Sequence, residues 1–193
     1  MMGASAALDY DAELMLRVKD GDEASFGLLL DKYRAPVSHF LYRMVQDQAV
    51  SEELAQEVFL RVYKSRETYE PAAKFTTWLF RIATHLALNW LRDEKNERAQ
   101  ERLDQSTEDG PTREVPDRAP SVEQEMVAEV KVAEVRRAVA ALPDKQRAAV
   151  LMQKYEEMEY SQIAKVLSCS ESAVKSLLFR AYETLRVRLA HMA

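Results

Sequence analysis

Cysteine is nearly absent from this chain. The single Cys169 excludes an internal disulfide and fits a reducing compartment. Glycine occurs four times and proline six, too sparsely for a turn-rich β protein or for a glycine loop that cradles a phosphate. The three histidines, His39, His85 and His191, are widely scattered. With no metal-ligand cluster and no nucleophile beside a base, the reading is of a protein without metal, cofactor or catalytic residues, and not of an enzyme. No apolar run approaches the roughly 18 residues that cross a bilayer, so no membrane insertion is expected. Met1 to Tyr10 has neither the basic start nor the apolar stretch of a signal peptide, and the expected location is cytoplasmic.

What is present favours helix: Ala, Leu, Glu, Arg and Met are abundant. A chain of 193 residues allows one ordinary domain or two small ones. The net charge of −5 argues weakly against nucleic acid, but the charge is unevenly spread. Asp9–Glu70 carries thirteen acids against eight bases, and Asp93–Glu125 eleven against five. Pro71–Arg92 has three bases and no acid, and Ser161–Ala190 five bases against two acids. Phosphate contacts should concentrate in those two basic segments.

Apolar spacing predicts an all-α chain in two small domains. Asp9 to about Asp20 reads as a short helix broken by Gly21, with Asp22 able to cap the next. Phe26, Leu29, Leu30, Tyr33, Val37, Phe40, Leu41 and Met44 then recur at helical intervals. A third helix follows Asp47 to about Ser65. After a loop holding Pro71, a fourth starts near Thr76, a candidate cap, and passes through Trp78, Leu79, Ile82, Leu86 and Trp90. These four bury one another's stripes, giving a domain over 1–92. Residues 93–120, polar and proline-containing, read as an acidic flexible linker. The second domain, 121–193, opens on the capping-box spacing of Ser121 and Gln124. Pro143 ends its first helix and suits the first turn of the next. Two further helices, near Tyr160–Leu167 and Glu171–Ala190, close the chain.

Three segments carry functional signals. Tyr160–Phe179 has the pattern of a helix-turn-helix. Ala164 is small where two helices cross, and Ile163, Leu167, Cys169, Val174 and Leu177 are inward. Ser170 can cap a second helix whose outward residues are Glu171, Ser172, Lys175, Ser176, Phe179 and Arg180. A tight helical hairpin without DNA uses similar residues. Pro71–Arg92 interleaves Lys74, Arg81 and Arg92 with aromatics and with Thr76, Thr77, His85 and Asn89, a mixture suited to unpaired DNA. The same Trp78, Ile82, Leu86 and Trp90 fit a core equally well. On Ser51–Leu60, Glu53, Gln56, Glu57 and Leu60 share a face, with Leu54, Val58 and Phe59 toward the bundle. That stripe fits a basic helical partner or an ordinary solvated surface.

In this order the segments resemble a known family. Glu-Leu-Ala-Gln-Glu-Val-Phe-Leu-Arg-Val-Tyr, within Ser51–Tyr63, resembles sigma region 2.2. Lys-Phe-Thr-Thr-Trp-Leu-Phe-Arg-Ile-Ala from Lys74, with Asn89, resembles regions 2.3 and 2.4. Ala141-Leu-Pro, Gln146-Arg147, Ile163-Ala164 and Ala173-Val-Lys-Ser-Leu-Leu resemble region 4. Nothing resembles the regions 1.1 or 3 of longer sigma factors. The chain is therefore identified as resembling extracytoplasmic-function (ECF) sigma factors of the sigma-70 family.

The resemblance implies a subunit that binds core RNA polymerase, recognises −35 and −10 promoter elements and melts DNA. It assigns Glu53, Leu54, Gln56, Glu57 and Leu60 to the β′ coiled coil of core polymerase, with the β subunit as a further contact. Lys74, Phe75, Thr76, Thr77, Arg81, His85 and Asn89 fall to the −10 element. Glu171, Ser172, Lys175, Ser176, Phe179 and Arg180 fall to the −35 element. The linker would thread toward the RNA exit path, an anti-sigma factor is an expected partner, and no homo-oligomer is required. The sequence departs from the family at His85, where many relatives have Asn, at Glu157 and Glu159, which replace Gly and Ser, and at Ser168, which replaces a turn glycine. An ordinary helix-turn-helix regulator would instead dimerise on a palindrome, and a helical interaction protein would show no salt-dependent DNA affinity.

Overall fold

Aspartates set the starts of the first three helices. The computed structural model describes residues 9–104 and 123–192. In it Asp9 caps α1 (Tyr10–Lys19), Asp22 caps α2 (Glu23–Val45) and Asp47 caps α3 (Gln48–Lys64). Each carboxylate accepts an N–H of the first turn, at 2.9 Å from Asp11, 3.0 Å from Ala24 and 3.0 Å from Val50, satisfying donors that no helix can satisfy itself. Hydrogen bonds from Ser25 hold the Asp22 carboxyl below its usual range. Gly21 adopts φ 95° between the first two helices, a conformation open to glycine at little cost.

A 3₁₀ turn, Arg66–Thr68, and an exposed loop lead into α4 (Phe75–Asp104). Two expectations change here. Thr76 lies inside the helix and does not cap it. The helix also continues well past residue 92, where the apolar spacing fades. Residues 93–100 are mostly strong helix formers, and the Glu94–Arg98 pair at 2.6 Å bridges one turn. Residues 93–104 of the expected linker are therefore helical. The rest of that linker, and the Ser121 cap, lie outside the described residues.

The second unit comprises α5 (Glu123–Ala140), α6 (Asp144–Tyr155), α7 (Tyr160–Leu167) and α8 (Glu171–Arg188), with a closing 3₁₀ turn Ala190–Met192. Pro143 stands at the N-cap of α6, one place before the expected first turn. No strand occurs among the described residues. The first unit's core is built on Met15, Leu29, Phe40, Leu41, Met44, Leu79 and Phe80, with Phe40 and Phe80 edge to face at 5.3 Å. The second is built on Leu142, Leu151, Met152, Ile163, Val174 and Leu178.

The two units pack against each other, which the sequence pattern does not foresee. Helix α7 lies on α4, and α6 lies on α2 and α4. Arg147, only 8% exposed, donates to the carbonyls of Ala140 and Leu142 at the end of α5, and across the joint to the carbonyl of Met44 in the last turn of α2. One guanidinium thus serves two helix C-termini, where the backbone dipole favours a cation. Lys95 and Asp144 pair at 2.5 Å, and the Arg43 guanidinium lies 4.0 Å from the Tyr155 ring centre. Burial pushes the neighbouring Glu156 carboxyl up to about 7, against the pull of Arg43.

Ser168 and Glu157, two of the departures from the family pattern, both adopt left-handed backbone, at φ 52° and 50°. A Cβ at such positions costs about 1 kcal/mol relative to glycine. Ser168→Gly and Glu157→Gly are each expected to raise the melting temperature by about 2–4 °C, measured by circular dichroism. Unchanged or lower values would show that side-chain contacts of Ser168 and Glu157 outweigh the backbone strain.

Candidate nucleic-acid interface

The helix-turn-helix forms as its residue pattern requires. Ile163, Ala164, Val166 and Leu167 are buried on α7, the left-handed Ser168 turns the chain, and the Ser170 hydroxyl accepts the Ala173 N–H at 3.1 Å to start α8. On α8, Val174, Leu178 and Ala181 are buried, and the intermediate Leu177 and Cys169 pack on the core. This leaves Glu171, Ser172, Lys175, Ser176, Phe179 and Arg180 all exposed. Phe179 is 67% exposed, an apolar surface of the kind that meets a thymine methyl in a major groove. The Ser176 hydroxyl already donates to the Ser172 carbonyl at 3.0 Å, so toward a ligand it is chiefly an acceptor.

Helix α4 divides the second predicted set. Arg81, His85 and Asn89 are exposed at intervals of four residues, and Arg92 extends their stripe. Burial, and then the Arg81 charge, hold the His85 imidazole below its usual range, so at neutral pH it offers one donor and one acceptor. Lys74 is exposed and Thr76 half-buried at the start of the helix. Two members of the set lie elsewhere. Phe75 is 1% exposed, wedged among Tyr33, Tyr69 and Trp78 with ring centres 5.4, 6.4 and 5.8 Å away. It belongs to the core, because its ring completes the aromatic cluster under the loop. Thr77 is 3% exposed, and its hydroxyl faces the Gln162 amide of α7 at 3.4 Å. In this arrangement neither Phe75 nor Thr77 is available to a ligand.

On α3, Ser51, Ala55, Val58, Phe59 and Val62 face inward. Glu53, Gln56 and Leu60 are exposed, with Leu60 at 45%. Leu54 is half-buried against the core, and Glu57 accepts from Arg61 Nε at 2.6 Å. Sequence reasoning missed Asp9, Arg147 and Gln162 as organising residues. Asp9 is visible as a cap of its own helix, but its second contact, described below, lies 66 residues away and leaves no local signal. Arg147 stood only as part of a motif, without a role.

Residues 29–97 match the family described as Sigma-70 region 2, and residues 133–185 that described as Sigma-70, region 4. The chain is 32% identical over 182 residues to the RNA polymerase sigma-H factor of Pseudomonas aeruginosa, covering 92% of each protein. It is 34% identical over 164 residues to the ECF RNA polymerase sigma factor SigX of Bacillus subtilis, covering 85% of this chain and 83% of that one. Among solved structures, its fold resembles a chain of the complex of CnrH with the cytosolic domain of CnrY. The TM-score there is 0.71 at 18% identity, over 96% of this chain and all of the other. It also resembles a chain of the complex of the sigma factor RpoE with the anti-sigma factor NepR from Bartonella quintana. There the TM-score is 0.63 at 19% identity, over 86% of this chain and 96% of the other.

Proposed function

This chain belongs to the ECF group of the sigma-70 family, RNA polymerase sigma factors that act in transcription initiation, and on that footing we propose what each of its surfaces does. The outer face of α3, exposed Glu53, Gln56 and Leu60 with the half-buried Glu57 and Leu54, docks on the β′ coiled coil of core polymerase. Lys74, Thr76, Arg81, His85 and Asn89 engage the −10 element as it opens. Glu171, Ser172, Lys175, Ser176, Phe179 and Arg180 read the −35 element. Lys175, near the start of α8, is placed for a base edge, and Arg180, further along, for a phosphate. One observation supports this reading above the rest: the six residues expected on the reading face of α8 are all exposed, while the positions between them form its core. The role is one of binding, carried out in the cytoplasm where core polymerase works, without catalysis by this chain.

Geometry adds a step. The two promoter elements lie about 25 base pairs apart, on the order of 85 Å of duplex. A compact chain of this length has a radius of gyration of roughly 16 Å. The packed arrangement of the two units therefore cannot lay α4 and α8 on both elements at once. The units part when core polymerase is bound. An anti-sigma factor, the kind of partner with which the Bartonella quintana sigma factor was solved, would act on the parted or the packed state.

The test is transcription by bacterial core polymerase lacking any sigma factor. Addition of the full chain should give transcripts with defined start sites. Gln56→Ala combined with Glu57→Ala should weaken core binding on the order of tenfold with an unchanged circular dichroism spectrum, since neither side chain packs in the bundle. An absence of specific transcripts would reject the assignment, and unchanged core affinity would reject the α3 surface alone.

A further inference from the structure

The loop between Tyr69 and Lys74 exposes Glu70, Pro71, Ala72 and Lys74, while the first turn of α4 that follows is buried at Phe75 and Thr77 and half-buried at Thr76. Two hydrogen bonds hold the loop's ends. At one end, the Tyr69 carbonyl accepts a hydrogen bond from Lys19 Nζ at 3.2 Å. At the other, the N–H of Phe75, the first residue of α4, donates to Asp9 Oδ2 at 2.9 Å. Lys19 and Asp9 are the last residue and the N-cap of the same helix, α1. The ten residues of α1 span about 15 Å, and its two ends grip the two ends of the loop.

Asp9 divides its carboxylate between two helices. Oδ1 accepts the Asp11 N–H at 2.9 Å and caps α1, while Oδ2 takes the Phe75 N–H. Helix α4 therefore borrows a cap from a residue 66 positions earlier, and the negative charge sits where the backbone dipole is positive. The rest of α1 is anchored to α2 by Asp11. This carboxylate, 6% exposed, accepts from Lys32 Nζ at 2.6 and 2.7 Å and from the Tyr33 hydroxyl at 2.5 Å. The splint is thus fixed to the bundle independently of the loop that it holds.

We propose that α1 is a splint for the promoter-opening segment, and that Asp9 and Lys19 are positioning residues which fix the loop and the first turn of α4 for strand separation without touching DNA. The proposal rests on the assignment of α4 to the −10 element. No other acceptor replaces the Asp9 carboxylate easily. An amide has one acceptor oxygen for two donors, and a serine can cap α1 but is too short to reach Phe75 as well.

Asp9→Ser is the informative variant, because serine is a good N-cap and leaves α1 formed. In holoenzyme built from the full chain and core polymerase, on a promoter mapped with that holoenzyme, core affinity should stay within about twofold of the parent. Open-complex formation, followed by permanganate reactivity of unpaired thymines, should fall on the order of tenfold, the factor that matches loss of a helix cap. A template melted in advance over the −10 region should restore most of it. Lys19→Met should show the same pattern with a smaller loss. Normal opening by Asp9→Ser, or a loss that pre-melting does not relieve, or a parallel loss of core affinity, would overturn the proposal. Arg81→Ala serves as the reference. If Arg81→Ala opens promoters normally, the assignment of α4 fails and the splint's role with it. If Arg81→Ala fails to open them and Asp9→Ser does not, the splint alone is wrong.

Discussion

Arg147→Met is expected to lower the melting temperature of the free chain by about 10 °C and to expand it in solution. The substitution keeps an unbranched side chain of similar volume but removes the donors to the carbonyls of Met44, Ala140 and Leu142. Those carbonyls are then left in a site with little access to water. Charge-assisted hydrogen bonds of this kind contribute about 1.5–3 kcal/mol, and the loss from a buried cluster is ~3 kcal/mol. For a chain of this size that corresponds to roughly 2–4 °C per kcal/mol. Only the bond to Met44 crosses the joint, so the expansion isolates it from the two that brace α5. Small-angle scattering should show a larger radius of gyration for Arg147→Met at temperatures where its helical signal is intact. A radius identical to the parent's would mean that Lys95–Asp144, Arg43–Tyr155 and the apolar contact hold the units together without Arg147.

Arg81→Ala is expected to reduce open-complex formation on the order of tenfold while closed-complex affinity changes little. Arg81 is exposed on a segment that contains no acid from Pro71 to Arg92. A cation there attracts the phosphates of a strand that has left the duplex. Asn89→Ala, two turns along the same stripe, should act in the same direction. Templates melted in advance should recover most of the activity of both. The decisive comparison is duplex against pre-melted template for each variant: an equal deficit on both would mean that Arg81 and Asn89 anchor the promoter and do not help to open it.

The legible and the illegible parts of this protein separate along physical lines. The caps at Asp22 and Ser170, the inward stripe of α2 and the outward face of α8 all depend on residues within about one or two turns of each other. Periodicity and capping chemistry report such features directly. The extension of α4 past residue 92 was hidden because residues 93–100 bury no face and so have no apolar period to detect, although their charged residues support helix by propensity and by the Glu94–Arg98 pair. The burial of Phe75 and Thr77 has another origin. Both sit in a segment whose composition suits unpaired DNA, yet one ring fills an aromatic cluster drawn from α2, the loop and α4, and one hydroxyl meets a helix from the other unit.

By itself the sequence determined an all-helical chain, its order of helices, and which side of α3 and α8 faces outward. Each of those is fixed by interactions among near neighbours, whose signatures survive in a linear string. Tertiary structure alone decided that the two units pack together through Arg147, that Thr77 is covered by Gln162, and that Asp9 caps a helix 66 residues away. These are meetings of single donors with single acceptors across the fold. They leave no period and no spacing, because the intervening chain can be of any length and any pattern provided that it returns to the same place.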